Sequence, residues 1–212
     1  MLHLQSFTCN PIQENSYLIY NDQKQCLFID PGFYFPNEKQ MIKDFVDQHQ
    51  LQPVGLINTH CHLDHVFGNL FIAETYELKL QIHEKEIPVL DYAPVSGLTY
   101  NMPFDNYQGE KIFLTEGDVI RLGEDELAVL FTPGHSPGSL SFYCAAQDFV
   151  ISGDALFKGS IGRTDLPGGD HATLIRSIKE KLLVLPASTK VYSGHGPVTT
   201  IEMEKRENPF LM

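Results

Sequence analysis

The sequence predicts an α/β protein of β-sheets covered by helices, and three observations carry that prediction. Short apolar runs of β character alternate with longer segments of helical spacing along the chain. Paired strand-like runs mix with single helices, the pattern of a layered α/β architecture. The 212 residues carry 42% hydrophobic and 20% charged side chains, enough for one sizeable core and too apolar for a disordered chain.

In chain order, Tyr17-Leu18-Ile19-Tyr20 and Cys26-Leu27-Phe28-Ile29 form a hairpin around the polar turn Asn21-Asp22-Gln23-Lys24. Residues 37–49 have helical spacing, with Met41, Ile42, Phe45 and Val46 on a face that Lys43, Asp44 and Asp47 avoid. Residues 54–58 read as a short strand, 66–76 as a helix and 78–82 as a strand again. Further strands follow at 127–131, 141–144 and 149–152. Residues 173–183 form an amphipathic helix with Leu174, Ile175, Ile178 and Leu182 inward, and 191–193 is a last strand. The stretch 91–110 shows no period and contains Pro94 and Pro103; it reads as a long loop, either a lid or a plain surface excursion. No repeat or linker divides the chain, so residues 1–212 are read as one domain.

Composition excludes several function classes. A net charge of −12, from 15 basic and 27 acidic residues, repels phosphate backbones, and no basic cluster offsets it. No apolar run approaches the ~18 residues of a membrane span. Met1 to Gln5 lacks the basic and apolar regions of a signal peptide. Cys9, Cys26, Cys61 and Cys144 show no CxxC spacing and are read as reduced thiols. The expectation is a cytoplasmic protein without nucleic-acid or membrane partners, its oligomeric state left open.

The nine histidines are the unusual entry in that composition. Five of them fall in three groups, each after a strand-like run: Thr59-His60-Cys61-His62-Leu63-Asp64-His65, Thr132-Pro133-Gly134-His135, and Gly194-His195-Gly196-Pro197. Asp30 and Asp154 occupy the same kind of place, after residues 27–29 and 149–153. Polar side chains at strand ends, with Gly or Pro beside them, are where α/β sheets build active sites. His60 and His62, two apart in extended chain, point to one side. Three imidazoles and a carboxylate within six residues are costly to bury unpaired but suit a zinc, iron or manganese site. His60, His62, Asp64, His65, His135, Asp154 and His195 make seven candidate ligands. That is too many for one tetrahedral ion and enough for two divalent ions sharing a carboxylate.

His60-x-His62-x-Asp64-His65 followed by His135, Asp154 and His195 resembles the metallo-β-lactamase fold superfamily. Within it, the chain is similar to short, single-domain glyoxalase II-type hydrolases. Thr132 to Ser139, Gly153 to Phe157, Ser160 to Asp165 and Asn208 to Leu211 carry that likeness, together with the Asn10-Pro11…Glu14-Asn15-Ser16-Tyr17 opening. The resemblance implies an αββα sandwich of two mixed sheets with helices on the outer faces. It implies His60, His62 and His135 on one metal, Asp64, His65 and His195 on the other, Asp154 bridging, and Asp30 orienting the site from behind. Zinc is the first choice of metal, with iron or manganese as alternatives. The implied chemistry is attack of a metal-bridging hydroxide on a thioester such as S-lactoylglutathione, with Asp64 catalytic and able to supply a proton. Lys158 and Arg163 are the candidate substrate-binding cations, although Arg163 could pair with Asp165 instead. Only 17 residues follow His195, so the separate glutathione-binding helical domain of full-length glyoxalase II is not expected. The runner-up reading is a mononuclear-iron persulfide dioxygenase, which shares the first motif and a Gly-Arg-Thr-Asp segment like Gly162 to Asp165. An exported β-lactamase would call for a signal peptide. His3 and His49 read as surface residues, His83 as a strand end, His171 as a helix start and Cys61 as a buried thiol.

Overall fold

The computed structural model describes residues 1–212. The first half builds a six-stranded sheet from β1 (Leu2–Cys9), β2 (Glu14–Asn21), β3 (Gln25–Ile29), β4 (Gln52–Ile57), β5 (Leu80–Ile82) and β6 (Lys111–Phe113), neighbours in that order. Between these strands run α1 (Pro36–His49), α2 (Leu63–Val66), α3 (Asn69–Tyr76) and α4 (Ile87–Thr99). The second half contributes β7 (Val119–Leu122), β8 (Asp125–Phe131), β9 (Leu140–Cys144) and β10 (Phe149–Gly153), then a small hairpin of β11 (Leu156–Phe157) and β12 (Ser160–Ile161). After α5 (His171–Ser177) come β13 (Lys190–Ser193), β14 (Thr199–Thr200) and α6 (Ile201–Glu207). The second sheet has the order β14-β13-β10-β9-β8-β7.

Period-two alternation decides the layering. Leu18, Cys26, Phe28 and Leu56 face a core shared with Ile42 and Val46 of α1 and Ile72 of α3. Their strand neighbours Tyr17, Ile19, Leu27, Ile29 and Ile57 face the opposite way, against Val129, Phe142 and Ile151 of the second sheet. Behind that sheet, Val150 and Val191 pack on Leu174 of α5 and Ile201 of α6. The result is helix, sheet, sheet, helix: the αββα sandwich with two mixed sheets.

Strand direction then positions the site. β3, β4, β5 and β6 are parallel. In the other sheet β10 and β13 are parallel, and β8 shares their direction because both β8 and β10 pair antiparallel with β9. An isolated bridge between Glu14 and His195 joins the two sheets at the edge where these strands end.

Four local features differ from the sequence reading. The first hairpin is extended by β1, which pairs along the whole of β2. The helix read over 66–76 is two helices, because Gly68 breaks it: its N–H bonds to Pro31 O at 2.7 Å and a Cβ there would overlap that carbonyl. The stretch 91–110 is not a loop throughout, since α4 runs to Thr99. Its buried face is Leu90, Ala93 and Gly97, with Pro88 in the first turn and Pro94 inside; small residues and prolines hid a real helical period. Finally, α5 starts two residues early, capped by the Asp170 carboxylate on Thr173 N–H, and runs on as a π-helical turn over Ile178–Leu182. No helix is long and apolar enough to cross a membrane.

Candidate metal centre

Five strand ends meet at one edge, and each delivers a polar side chain. Asp30 follows β3, His60 and His62 follow β4, His135 follows β8, Asp154 follows β10 and His195 follows β13. Asp64 and His65 enter from the first turn of α2. His60, His62 and His135 form one group of converging donor atoms; Asp64, His65 and His195 form a second. Asp154 lies between them. Its Oδ2 is 3.5 Å from His135 Nε2 and 3.6 Å from His195 Nε2, while Oδ1 is 3.5 Å from His65 Nε2. The structure thus brings together all seven residues read as ligands. A Cβ at Gly194 would overlap Asp154 Oδ1 and His65 Cε1, so only glycine lets the β13 end approach this closely.

Hydrogen bonds behind the rings set their tautomers. His135 Nδ1 lies 2.8 Å from the Arg163 carbonyl, which can only accept, so that nitrogen carries the proton. Thr59 Oγ1 spends its one proton on Asp30 Oδ2 at 2.6 Å; His60 Nδ1, 3.1 Å away, therefore donates to Thr59. In neutral rings, His60 Nε2 and His135 Nε2 are then both bare lone pairs, yet they face each other at 3.2 Å. His62 Nδ1 joins them, 2.8 Å from His135 Nε2. In the second group, His65 Nδ1 donates to Asp30 Oδ2 at 3.1 Å and His195 Nδ1 to Gln13 O at 3.2 Å, so both Nε2 atoms aim inward. His65 Nε2 and Asp154 Oδ1 are buried without a hydrogen-bond partner. Opposed lone pairs and orphaned buried atoms are expensive, and cations coordinated at these points would relieve both. The residues fit bound metal cations.

In the three-histidine group electrostatics agree with ligand duty, whereas at His65 and His195 the Asp154 and Asp64 carboxylates outweigh burial and raise the rings, drawing positive charge into the second group. Burial, then crowding by the neighbouring imidazoles, holds His60 well below its ordinary range and His62 down to about 3. Neutral imidazole is the form that binds metal. Burial works against the Asp154 charge, but His65, then His135 and His195, outweigh it and keep the carboxylate ionised. Asp30 is fully buried and takes four donors: Thr59 N–H, Thr59 Oγ1, Asn58 Nδ2 and His65 Nδ1. Its backbone is left-handed (φ 50°), a conformation that Asp tolerates better than most residues.

Beside the donor groups opens a cleft of about 1080 Å³, lined by His62, Asp64, His135, Asp154 and His195 and by residues of α4 and the β11–β12 hairpin. Arg163 lines it, held by Asp165 through two bonds of 2.7 and 2.8 Å. Lys158 does not: it is exposed and outside the cleft lining, because the tight turn between β11 and β12 carries it to the surface. The remaining histidines stand apart from the donor groups. His3 pairs with Asp22, His49 bonds to the Phe45 carbonyl, His83 stacks on Phe131 and His171 opens α5. Cys61 is fully buried.

Two buried carboxylates beside the donor groups escaped the sequence reading. Glu86 accepts from Cys61 N–H (2.8 Å), Ser136 Oγ (2.6 Å) and Gly138 N–H (2.6 Å), tying the His60–His62 loop to the His135 loop. In Glu84-Lys85-Glu86 it looks like one more surface charge. Glu14 accepts from Ser16 Oγ, and its other oxygen lies 3.8 Å from His65 Nδ1. Glu14 is the first residue of β2, where the strand reaches the site edge; a charge three residues ahead of the apolar run Tyr17-Leu18-Ile19-Tyr20 was the signal available.

The family description "Metallo-beta-lactamase superfamily" matches residues 9–195 of this sequence. The chain belongs to the metallo-β-lactamase superfamily. It is 42% identical to the probable metallo-hydrolase YqgX of Bacillus subtilis over 202 residues, 95% of this chain and 93% of that one. It is 34% identical to the hydroxyacylglutathione hydrolase GloC of Haemophilus influenzae over 212 residues, 99% and 98% of the two chains. Among solved structures, the BLEG-1 B3 metallo-β-lactamase superposes with a TM-score of 0.90 at 38% identity, over 99% of this chain and all of that one. TTHA1623 in a di-iron-bound form gives 0.87 at 37%, over 98% and 100%. Superfamily membership and the donor groups together make the chain a metal-dependent hydrolase.

Proposed function

We propose that the chain hydrolyses a thioester at a binuclear centre, in the manner of glyoxalase II. The observation that carries this reading is the placement of Asp154 between two complete donor groups on the floor of one cleft. His60, His62 and His135 would hold one ion, Asp64, His65 and His195 the other, with Asp154 shared. Bound there, two divalent ions supply Lewis acidity and a water acidic enough to be deprotonated near neutral pH. The protein's own part is to orient the rings through Asp30, Thr59 and two backbone carbonyls, and to keep Asp64 and Asp154 ionised as acceptors for a proton from water.

Leaving-group chemistry narrows the substrate. Apart from Asp64 and Asp154, no carboxylic acid lines the cleft. A thiol, with a pKa of ~8.5, departs as thiolate without strong protonation, whereas an amine does not. The likeness to GloC, whose name is that of a glutathione-thioester hydrolase, supports the same choice, and the di-iron form of TTHA1623 supports a centre of two ions. The mononuclear-iron dioxygenase reading leaves Asp64, His65 and His195 without a task.

The test is a matched panel on metal-loaded protein: one acyl group as thioester, oxygen ester and amide, a cephalosporin, and a persulfide with an oxygen electrode. The thioester should exceed the amide and the cephalosporin by about 100-fold or more in kcat/KM, a margin of about 2.7 kcal/mol in transition-state stabilisation. A faster cephalosporin, or oxygen uptake with one iron per chain, would overturn the reading.

A further inference from the structure

The cleft walls are made for something other than charge. Val89, Tyr92, Ala93 and Tyr100, from α4 and the residue after it, line the cleft together with Phe157 and Ile161 of the β11–β12 hairpin. Tyr92 and Tyr100 are both in that lining and are 54% and 56% exposed overall. Aromatic surface held open beside a reactive centre gains most when an apolar group covers it. Fixed positive charge is scarce by contrast. Arg163 is the one lysine or arginine in the lining, and Asp165 already holds the Nε–Nη2 edge of its guanidinium. Lys158 lies outside the lining, and the nearby Lys85 ammonium sits 5.1 Å above the Phe131 ring instead. A glutathione moiety brings two carboxylates, for which this cleft holds a single cation that is already paired.

We infer that the substrate carries an apolar arm, aliphatic or aromatic, that lies on the α4 wall beside the reacting carbonyl, and that glutathione is not the portion this cleft selects. The inference rests on the thioester-hydrolase reading. Tyr92 and Tyr100 are then specificity residues, covering the arm and excluding water as the cleft fills. The arm belongs to either the acyl group or the thiol, and the two sources separate experimentally.

The acyl series is acetyl, hexanoyl and phenylacetyl thioesters of N-acetylcysteamine; the thiol series is the acetyl thioesters of N-acetylcysteamine, benzyl mercaptan and glutathione. Along the series that carries the arm, kcat/KM should rise about fourfold per buried methylene. Acetylglutathione should stay within about fivefold of acetyl-N-acetylcysteamine, because the one lining cation is exposed and half engaged by Asp165, and exposed ion pairs contribute little. Tyr92→Ser should cut the preference for the apolar-arm substrate over its acetyl partner by about fivefold or more, as half-exposed aromatic surface is lost. Preference for acetylglutathione over every apolar thioester, or an unchanged preference ratio in Tyr92→Ser, would overturn the inference. Calorimetric titration with non-hydrolysable thioethers gives a readout independent of turnover. S-benzyl-N-acetylcysteamine should bind about tenfold or more tightly than S-methylglutathione; equal or reversed affinity contradicts the apolar arm. If no thioester is turned over but the thioether preference holds, the hydrolase reading fails and the apolar subsite stands.

Discussion

The two donor groups sit side by side and are built on different principles. His60, His62 and His135 are three neutral imidazoles, supplied by two loops from different sheets. Asp64, His65 and His195 include a carboxylate, and the half-buried His195 reaches the cleft. The first group is fastened from outside: Thr59 and the Arg163 carbonyl hold the His60 and His135 rings, and Glu86 ties the two loops together. The second is fastened at its centre, where Asp30 grips His65 from behind. Asp30 touches the His65 ring directly and reaches His60 only through Thr59, whereas Glu86 joins the two loops that carry the first group. Substitutions behind the two groups should therefore fail in different ways.

Asp30→Asn makes the largest separation. It removes the charge that fixes the His65 tautomer, and affinity for an ion in the second group should fall about 10- to 100-fold, with a smaller fall in the three-histidine group, which Asp30 reaches only through Thr59. Chelator competition followed by metal analysis reads this directly; equal loss from both groups would break the distinction. Glu86→Ala should act on the other side. It strands two buried N–H groups and a hydroxyl and should destabilise the fold by about 3 kcal/mol in urea titrations. It should also weaken the three-histidine group about tenfold, in the range of outer-shell substitutions. Glu86→Gln, which keeps one carbonyl acceptor, should recover part of both losses. A Glu86→Ala protein of reduced stability but unchanged metal affinity would make Glu86 a packing residue only.

How legible all this was in the sequence follows the same division. The ligand positions could be read because His-x-His-x-Asp-His and the later His135, Asp154 and His195 each stand at the end of an apolar run. The continuous apolar runs 17–20 and 26–29 were legible as a strand hairpin, and the structure covers both of their faces. What escaped was whatever depends on partners distant in sequence. Glu86 accepts from residues 25, 50 and 52 positions away, and nothing local marks it off from an exposed glutamate. α4 was missed because Pro94 and Gly97 argue against helix locally, and tertiary packing of Leu90 and Ala93 overrides them. Lys158 was read as a site cation by its nearness to Asp154 along the chain, and the intervening β11–β12 turn sends it to solvent. Arg163 does reach the cleft, already paired with Asp165, so both readings of it contained part of the geometry.

The central claim is that Asp154 makes one centre out of two donor groups. Metal content by elemental analysis, on wild-type protein and Asp154→Ala dialysed side by side against a weak chelator, tests it most directly. About two ions per chain are expected in the wild type and, in the variant, loss of at least one ion together with nearly all thioesterase activity. Two ions retained and activity preserved in Asp154→Ala would contradict it.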